Sequence, residues 1–192
     1  AMFDYIQPKF WHGEVPQLDA SIVTLGAFDG VHSGHQTLIS GAIKRAQSLG
    51  VPSVVCTFDP PPKVFFGRAA QLCPLAQKLS RIAALGPDHV VVFSFDDALR
   101  SLSAATFMDR LSRLRPHQIC VGGDFRFGAK QAGDVALLST RFDVRVQKPV
   151  CCAQGEVVSS TRIRGLLEQG LTAAAAALLR PALTPEMSNE TA

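Results

Sequence analysis

A short strand that breaks on glycine and restarts as a helix is the feature that most limits what this chain can fold into. Ser21 to Leu25 alternates and is rich in β-branched residues, which suits a strand, and it stops at Gly26. From His35 on, Leu38, Ile39, Ala42, Ile43, Ala46 and Leu49 recur at helical spacing. A glycine-rich turn that opens a helix aims unpaired N–H groups and the positive end of the helix dipole at whatever lies above it. That is an anion site, and phosphate is the expected guest. Two histidines, His32 and His35, sit at this turn.

The same alternation continues downstream. Val51 to Thr57 is a short apolar run after a helix, as in a parallel sheet covered on both faces. Pro60-Pro61-Pro62 follows Phe58-Asp59 and predicts a stiff, extended loop that leaves the sheet. A helix is expected within Pro74 to Leu85, with Leu75, Leu79, Ile82 and Leu85 on one face and Gly86-Pro87 as its stop. His89 to Phe93 reads as a strand, Ser103 to Arg115 as a helix and Gln118 to Val121 as a further strand. That strand runs into the three-glycine loop 122–128. A helix from Asp134 to Thr140, a last strand over Phe142 to Val146, the Ser159 to Arg164 segment, an alanine-rich helix to Leu179 and a polar tail complete the chain. Residues 1–20 give no secondary structure beyond a lead-in packed on the core.

Strands alternating with helices of about a dozen residues predict an α/β fold: a Rossmann-like parallel sheet with helices on both faces. The loops at 26–35, 57–62 and 122–128 each follow a strand, so they are expected to meet at the carboxyl edge where such sheets bind ligands. One domain is expected, because 192 residues that are 47% hydrophobic suffice for one core. A net charge of +3 is too small to argue for a nucleic-acid partner and suits anionic small molecules. No apolar run reaches the roughly 20 residues that span a bilayer, and no signal-peptide pattern opens the chain, so no membrane partner is expected. Ala1 before Met2 reads as a cloning remnant. Five cysteines are an odd number, Cys56 and Cys120 lie in strand-like runs, and vicinal Cys151 and Cys152 read as ordinary thiols; together they predict a reducing, cytoplasmic setting.

Two groups of residues carry chemistry. His32-Ser33-Gly34-His35 has a chance expectation of about 0.01 in a chain of this composition. Its plain structural explanation is one histidine capping the helix and the other satisfied at the surface. Its chemical one is a pair of imidazole donors that stabilise negative charge on a phosphoryl group. Ser159-Ser160-Thr161-Arg162-Ile163-Arg164 reads either as an N-cap with an amphipathic helix or as hydroxyls, amides and an arginine that clamp polyphosphate oxygens. Gly123 to Lys130 falls short of a P-loop because Gln131 replaces the final Ser or Thr, and no G-x-G-x-x-G occurs.

Taken in order, Gly26 to Gln36, Thr57 to Pro60, Val121 to Gly128 and Ser159 to Arg164 resemble the adenylyltransferase half of bacterial FAD synthetase, the bifunctional riboflavin kinase and FMN adenylyltransferase. The resemblance covers about residues 20–181. Its H-x-G-H element is shared by the wider nucleotidyltransferase superfamily, whereas G-G-D-F-R-F-G and S-S-T-R-I-R are specific to the flavin branch. It implies attack by the FMN phosphate on the α-phosphorus of ATP, with Mg²⁺ assisting and pyrophosphate released. By resemblance, His32 and His35 serve the α-phosphate, and Ser160, Thr161 and Arg164 hold the β and γ phosphates. Gly26, Phe28, Asp29 and Gly34 line the ATP site, with Phe28 and Asp29 under the nucleotide. Phe58, Pro60, Asp124 and Phe125 define the flavin pocket.

Three departures stand out. Ala27 occupies a position where the family often has Asn, and Pro61 one where it usually has His. No riboflavin kinase barrel follows Arg180-Pro181, which implies a stand-alone or shortened adenylyltransferase that does not phosphorylate riboflavin. The alternatives are an adenylyltransferase for another phosphorylated acceptor and a flavin nucleotide-binding module without turnover. The Mg²⁺ ligands and the oligomeric state are not legible in the residues.

Overall fold

The computed structural model describes residues 7–180; the Ala1–Met2 junction and the polar tail from Pro181 lie outside them. The strands are β1 (Lys9–His12), β2 (Ser21–Leu25), β3 (Ser53–Asp59), β4 (His89–Ser94), β5 (Pro116–Gly122) and β6 (Val144–Gln147). They form one sheet in the order β1-β4-β3-β2-β5-β6, and every neighbouring pair is parallel. The helices are α1 (Ser33–Leu49), α2 (Pro62–Phe65), α3 (Leu75–Ala83), α4 (Asp97–Arg100), α5 (Ala104–Ser112), α6 (Val135–Ser139), α7 (Ser160–Glu168) and α8 (Thr172–Leu179), with a 3₁₀ turn at Ala129–Gln131.

Both faces of the sheet are covered, as the apolar strands require. Successive side chains of a strand point to opposite faces. Val23, Leu25, Val54, Cys56, Val91, Phe93, Ile119 and Val121 therefore pack with Phe107, Met108 and Leu111 of α5 and Leu138 of α6. On the other face Ile22, Val55, Val90, Val92 and Cys120 pack against Leu38, Ile39, Ala42 and Ile43 of α1 and Ile82 of α3. A third, smaller cluster joins α7 to α8 through Ile163, Ala175 and Leu178. The α/β fold expected from the alternation is the fold observed.

The topology also fixes where a ligand can approach. From β2 the chain steps outward to β3 and β4, then returns to the opposite flank of β2 as β5. Strand order reverses at β2, and parallel α/β sheets bind their ligands beyond the carboxyl ends at that reversal. The turn after β2 and the loops after β3 and β5 all emerge at that edge.

Three local expectations change. Residues 1–20 contain β1, an edge strand whose Lys9 to His12 pairs with His89 to Val92; the Trp11 indole N–H donates to His89 Nδ1 at 3.1 Å. The proline run does not stay extended: β3 continues to Asp59, and Pro62 opens the single-turn helix α2 with Pro61 as its N-cap. Proline suits the first turn of a helix, where its missing N–H would have had no partner. The one-turn helix α4, capped by Asp96, was not expected either.

Candidate active site

The turn after β2 is built around two close approaches. Phe28 takes a left-handed backbone, φ 50°, and folds its ring back so that it is only 1% exposed. A Cβ on Gly26 would lie 2.7 Å from that ring, so only glycine fits there. Strain of this kind in a non-glycine residue persists where the surroundings over-determine it, and it gathers at ligand-binding turns. Gly34 has the same logic. A Cβ there would come within 2.9 Å of the His32 ring, so the glycine of the H-x-G-H element lets the first imidazole lie flat over the helix start.

The two histidines are brought together. Their rings stack with centroids 3.5 Å apart and planes 17° from parallel, and the Phe28 ring meets His35 edge-on at 5.3 Å. His32 is the N-cap of α1: its Nδ1 accepts from the His35 backbone N–H at 3.2 Å. The plain structural explanation of the motif is therefore realised for His32, and it sharpens the chemical one. An Nδ1 that accepts assigns the hydrogen of the neutral ring to Nε2, so His32 keeps a donor that the cap does not use. His35 Nδ1 is shut away from solvent and has no hydrogen-bond partner among the described residues.

Burial sets the protonation of the pair. It pushes the His32 pKa from 6.5 down to about 4, partly opposed by a backbone hydrogen bond. His35 is pushed well below 6.5, first by burial and then by the neighbouring charges of His32 and Lys78. Near neutral pH both rings are neutral donors rather than cations.

Around them the carbonyls of the turn are held by side chains from three directions. Lys78 Nζ donates to Ala27 O at 3.0 Å and Arg81 Nη1 to Gly30 O at 2.7 Å, both from α3. Gln36 Nε2 donates to Val31 O at 2.9 Å. From β6, Gln147 Nε2 donates to Gly34 O at 3.2 Å.

The start of α7 reaches the same turn. Ser159 caps the helix by accepting from the Arg162 N–H at 3.1 Å, and the Ser160 hydroxyl donates to the Asp29 carbonyl at 3.2 Å. Asp29 is 3% exposed. Its carboxylate accepts from the Leu72 N–H at 3.1 Å and from the Arg164 guanidinium. Arg164 Nε donates to Ala70 O at 2.7 Å. Thr161 is exposed beside Ser160. Arg162 turns away, to Cys152 Sγ at 3.2 Å and Glu156 at 3.1 Å.

The residues expected around a flavin are more scattered. The Phe58 ring is 6% exposed and belongs to the core, 5.7 Å from Phe93 and 6.2 Å from Phe107. Pro60 is half-buried at the end of β3, and Pro61 is buried. Phe125 is half-buried and stacks on Phe127 at 5.8 Å, while Asp124 is exposed in the turn after β5. Among the described residues no hydrogen bond or ring contact joins Asp124 or Phe125 to the histidine turn; they share its edge of the sheet. A cavity of about 670 Å³ lies along the flank of α1, lined by Lys44, Arg45, Arg145 and Lys148 and by neither histidine.

Lys78 and Arg81 escaped the sequence reading. Lys78 is 1% exposed, and its signal was present: it stands three residues after Leu75 and four before Ile82, on the apolar stripe of its helix. A lysine there needs a buried partner.

A model of the family described as FAD synthetase matches residues 15–162. A protein of Geobacillus thermodenitrificans (strain NG80-2), provisionally named a bifunctional riboflavin kinase/FMN adenylyltransferase, is 48% identical over 153 residues, 80% of this chain and 86% of that one. Proteins named bifunctional riboflavin kinase/FMN adenylyltransferase in Pseudomonas fluorescens and Escherichia coli (strain K12) are 38% and 35% identical; they cover 81% and 86% of this chain. This chain spans only 53% and 56% of their length. Among solved structures, one described as a macrolide-efflux protein from Streptococcus pneumoniae superposes with a TM-score of 0.78 at 27% identity, over 92% of this chain and 72% of its own. No helix among the described residues is long and apolar enough to cross a membrane.

Proposed function

The chain belongs to the FAD synthetase family, and from that premise we propose that it is an FMN adenylyltransferase, a nucleotidyltransferase that joins the AMP part of ATP to FMN. An oxygen of the FMN phosphate forms a bond to the α-phosphorus of ATP, the bond between that phosphorus and the bridging oxygen breaks, and pyrophosphate leaves. The observation that carries this reading is the stacked, neutral histidine pair at the start of α1. Reactions at phosphorus of this kind depend mainly on positioning and charge stabilisation, and they require no nucleophile from the protein.

His32, through its Nε2–H, and His35 are the groups we assign to the charge that grows on the α-phosphate. Gly26, Phe28, Asp29 and Gly34 shape the ATP side. Ser160, Thr161 and Arg164 are assigned to the β and γ phosphates. For Arg164 the available face is Nη1, which makes no hydrogen bond among the described residues while Nε and Nη2 hold the turn. Phe58 and Pro60 would shape the flavin side from beneath, and Asp124 and Phe125 from the loop after β5. The catalytic unit is residues 20–181, of which all but Pro181 are described.

Mg²⁺ bound to the ATP phosphates would supply neutralisation of their charge. Among the described residues no group of three or more His, Cys, Asp or Glu is placed to hold a metal ion. Mg²⁺ at such sites is carried largely by substrate phosphates with one or two carboxylates. Arg164 and Leu72 engage Asp29, whereas Asp59, half-buried at the end of β3, is a carboxylate of this edge that such an ion would find open. A cytoplasmic location is supported by the five free thiols, two of them buried inside strands.

The test is incubation with FMN, ATP and Mg²⁺ and chromatographic detection of FAD. The wild-type chain is expected to form FAD, and the double variant His32→Ala, His35→Ala to lose activity by about 10²- to 10⁴-fold. Equal yields from the two proteins overturn the reading.

A further inference from the structure

We propose that Lys78 is a positioning residue of the adenylyl-transfer site, fastening the turn that receives ATP to the strand end that receives FMN so that the two substrates meet in register. The proposal rests on the reading above. The β2–β3 ladder ends at Leu25 and Cys56, and the Gly26 N–H adds one last bond to Cys56 O at 3.1 Å. Beyond that point the two chains part. Just past the parting, Ala27 O and Phe58 O both turn to Lys78 Nζ, at 3.0 and 2.7 Å. The Thr57 hydroxyl adds a second bond to Ala27 O at 3.0 Å. A side chain from α3 thus takes over where the ladder can no longer hold the strands, which is also where the edge has to open for a ligand.

Lysine suits this task. Its ammonium is compact, sits on a flexible stem and carries three donors, so it reaches two diverging carbonyls at once. An apolar residue of the same length would leave Phe58 O without this donor and Ala27 O with the Thr57 hydroxyl alone. The charge also lies among the reacting groups. Burial lowers the pKa of Lys78 while Asp59 and Asp29 draw it back up, and its charge in turn helps to keep His35 neutral.

Lys78→Met and Lys78→Arg are to be compared with the wild-type chain in FAD formation, with circular dichroism reporting the folded fraction and equilibrium dialysis giving ATP affinity with and without FMN. The expected result is a folded Lys78→Met whose kcat falls about 10- to 100-fold, since an error near 1 Å in placement costs about that much. Its KM values for both substrates rise together, FMN no longer alters its ATP affinity, and Lys78→Arg recovers at least about a tenth of the wild-type kcat. A folded Lys78→Met with wild-type kcat and KM overturns the proposal, as does a loss fully accounted for by unfolded protein. Should Lys78→Met not fold, Lys78→Gln takes its place: a reduced kcat supports the assignment and a wild-type kcat removes it. If the wild-type chain makes no FAD, the adenylyltransferase reading fails separately. The dialysis then judges Lys78, and an effect of FMN equal to that in the wild type overturns its role.

Discussion

The turn after β2 and the loop after β5 sit at the same edge of one sheet and are built in opposite ways. In the first, Phe28, Asp29 and His32 are buried, and the carbonyls of Ala27, Gly30 and Val31 are each held by a side chain, two of them from α3. In the second, Asp124 is exposed and the turn closes on itself, with the Phe125 N–H donating to Gly122 O at 3.2 Å. Electrostatic stabilisation of a transition state requires donors fixed before the reaction begins. Recognition of an acceptor tolerates a surface that settles when the ligand arrives. On the assignment proposed above, the nucleotide half of the reaction would fall to a preset site and the flavin half to one completed on binding.

The harshest way to break this contrast is to unpair the rigid half. Arg164→Ala leaves the Asp29 carboxylate buried without its counter-charge, and the loss of one partner from a buried pair costs about 3–5 kcal/mol. Urea denaturation is expected to show a midpoint lowered to match, with an unchanged slope. A change below about 0.5 kcal/mol would mean that the Arg164–Asp29 pair does not hold the turn.

Acid sharpens the contrast next. His32 has a pKa near 6.5 when unfolded and about 4 when folded, so on acidification the unfolded chain takes up the proton first. The stability it contributes is fully present above pH 6.5 and drains away between 6.5 and about 4, at about 1.4 kcal/mol per pH unit. His35 is displaced in the same direction and adds to the slope. Denaturation midpoints at several values across that window are expected to fall, and His32→Gln to flatten the fall.

The smallest effect belongs to the open loop. Asp124→Ala is expected to change stability by no more than about 0.5 kcal/mol, as exposed substitutions do. It should raise KM for FMN by about tenfold while leaving KM for ATP alone. Equal effects on both substrates would erase the division between the two halves.

What the residues disclosed in advance follows the same line. The β2–α1 unit was legible because a buried central strand and an amphipathic helix each leave a periodic trace. β1 was not, because a four-residue edge strand carries Phe10 and Trp11 side by side rather than in alternation. Pro62 was misjudged because a run of prolines looks extended until one of them falls at a helix start. Phe58 illustrates a limit of motif reasoning: the segment carries the family pattern, yet its ring serves the core while its carbonyl meets Lys78. The bond between Asp29 and Arg164 left no local trace at all, since 135 positions separate the partners.

That separation orders events during synthesis. A ribosome adds roughly 5–20 residues per second, so Asp29 waits roughly 7–27 seconds for the arginine that neutralises it. Until α7 has been made, the histidine turn holds a carboxylate that lacks the charge its burial calls for. A nascent chain stalled before Arg164 would therefore carry the whole H-x-G-H element and still lack the ion pair that seats it.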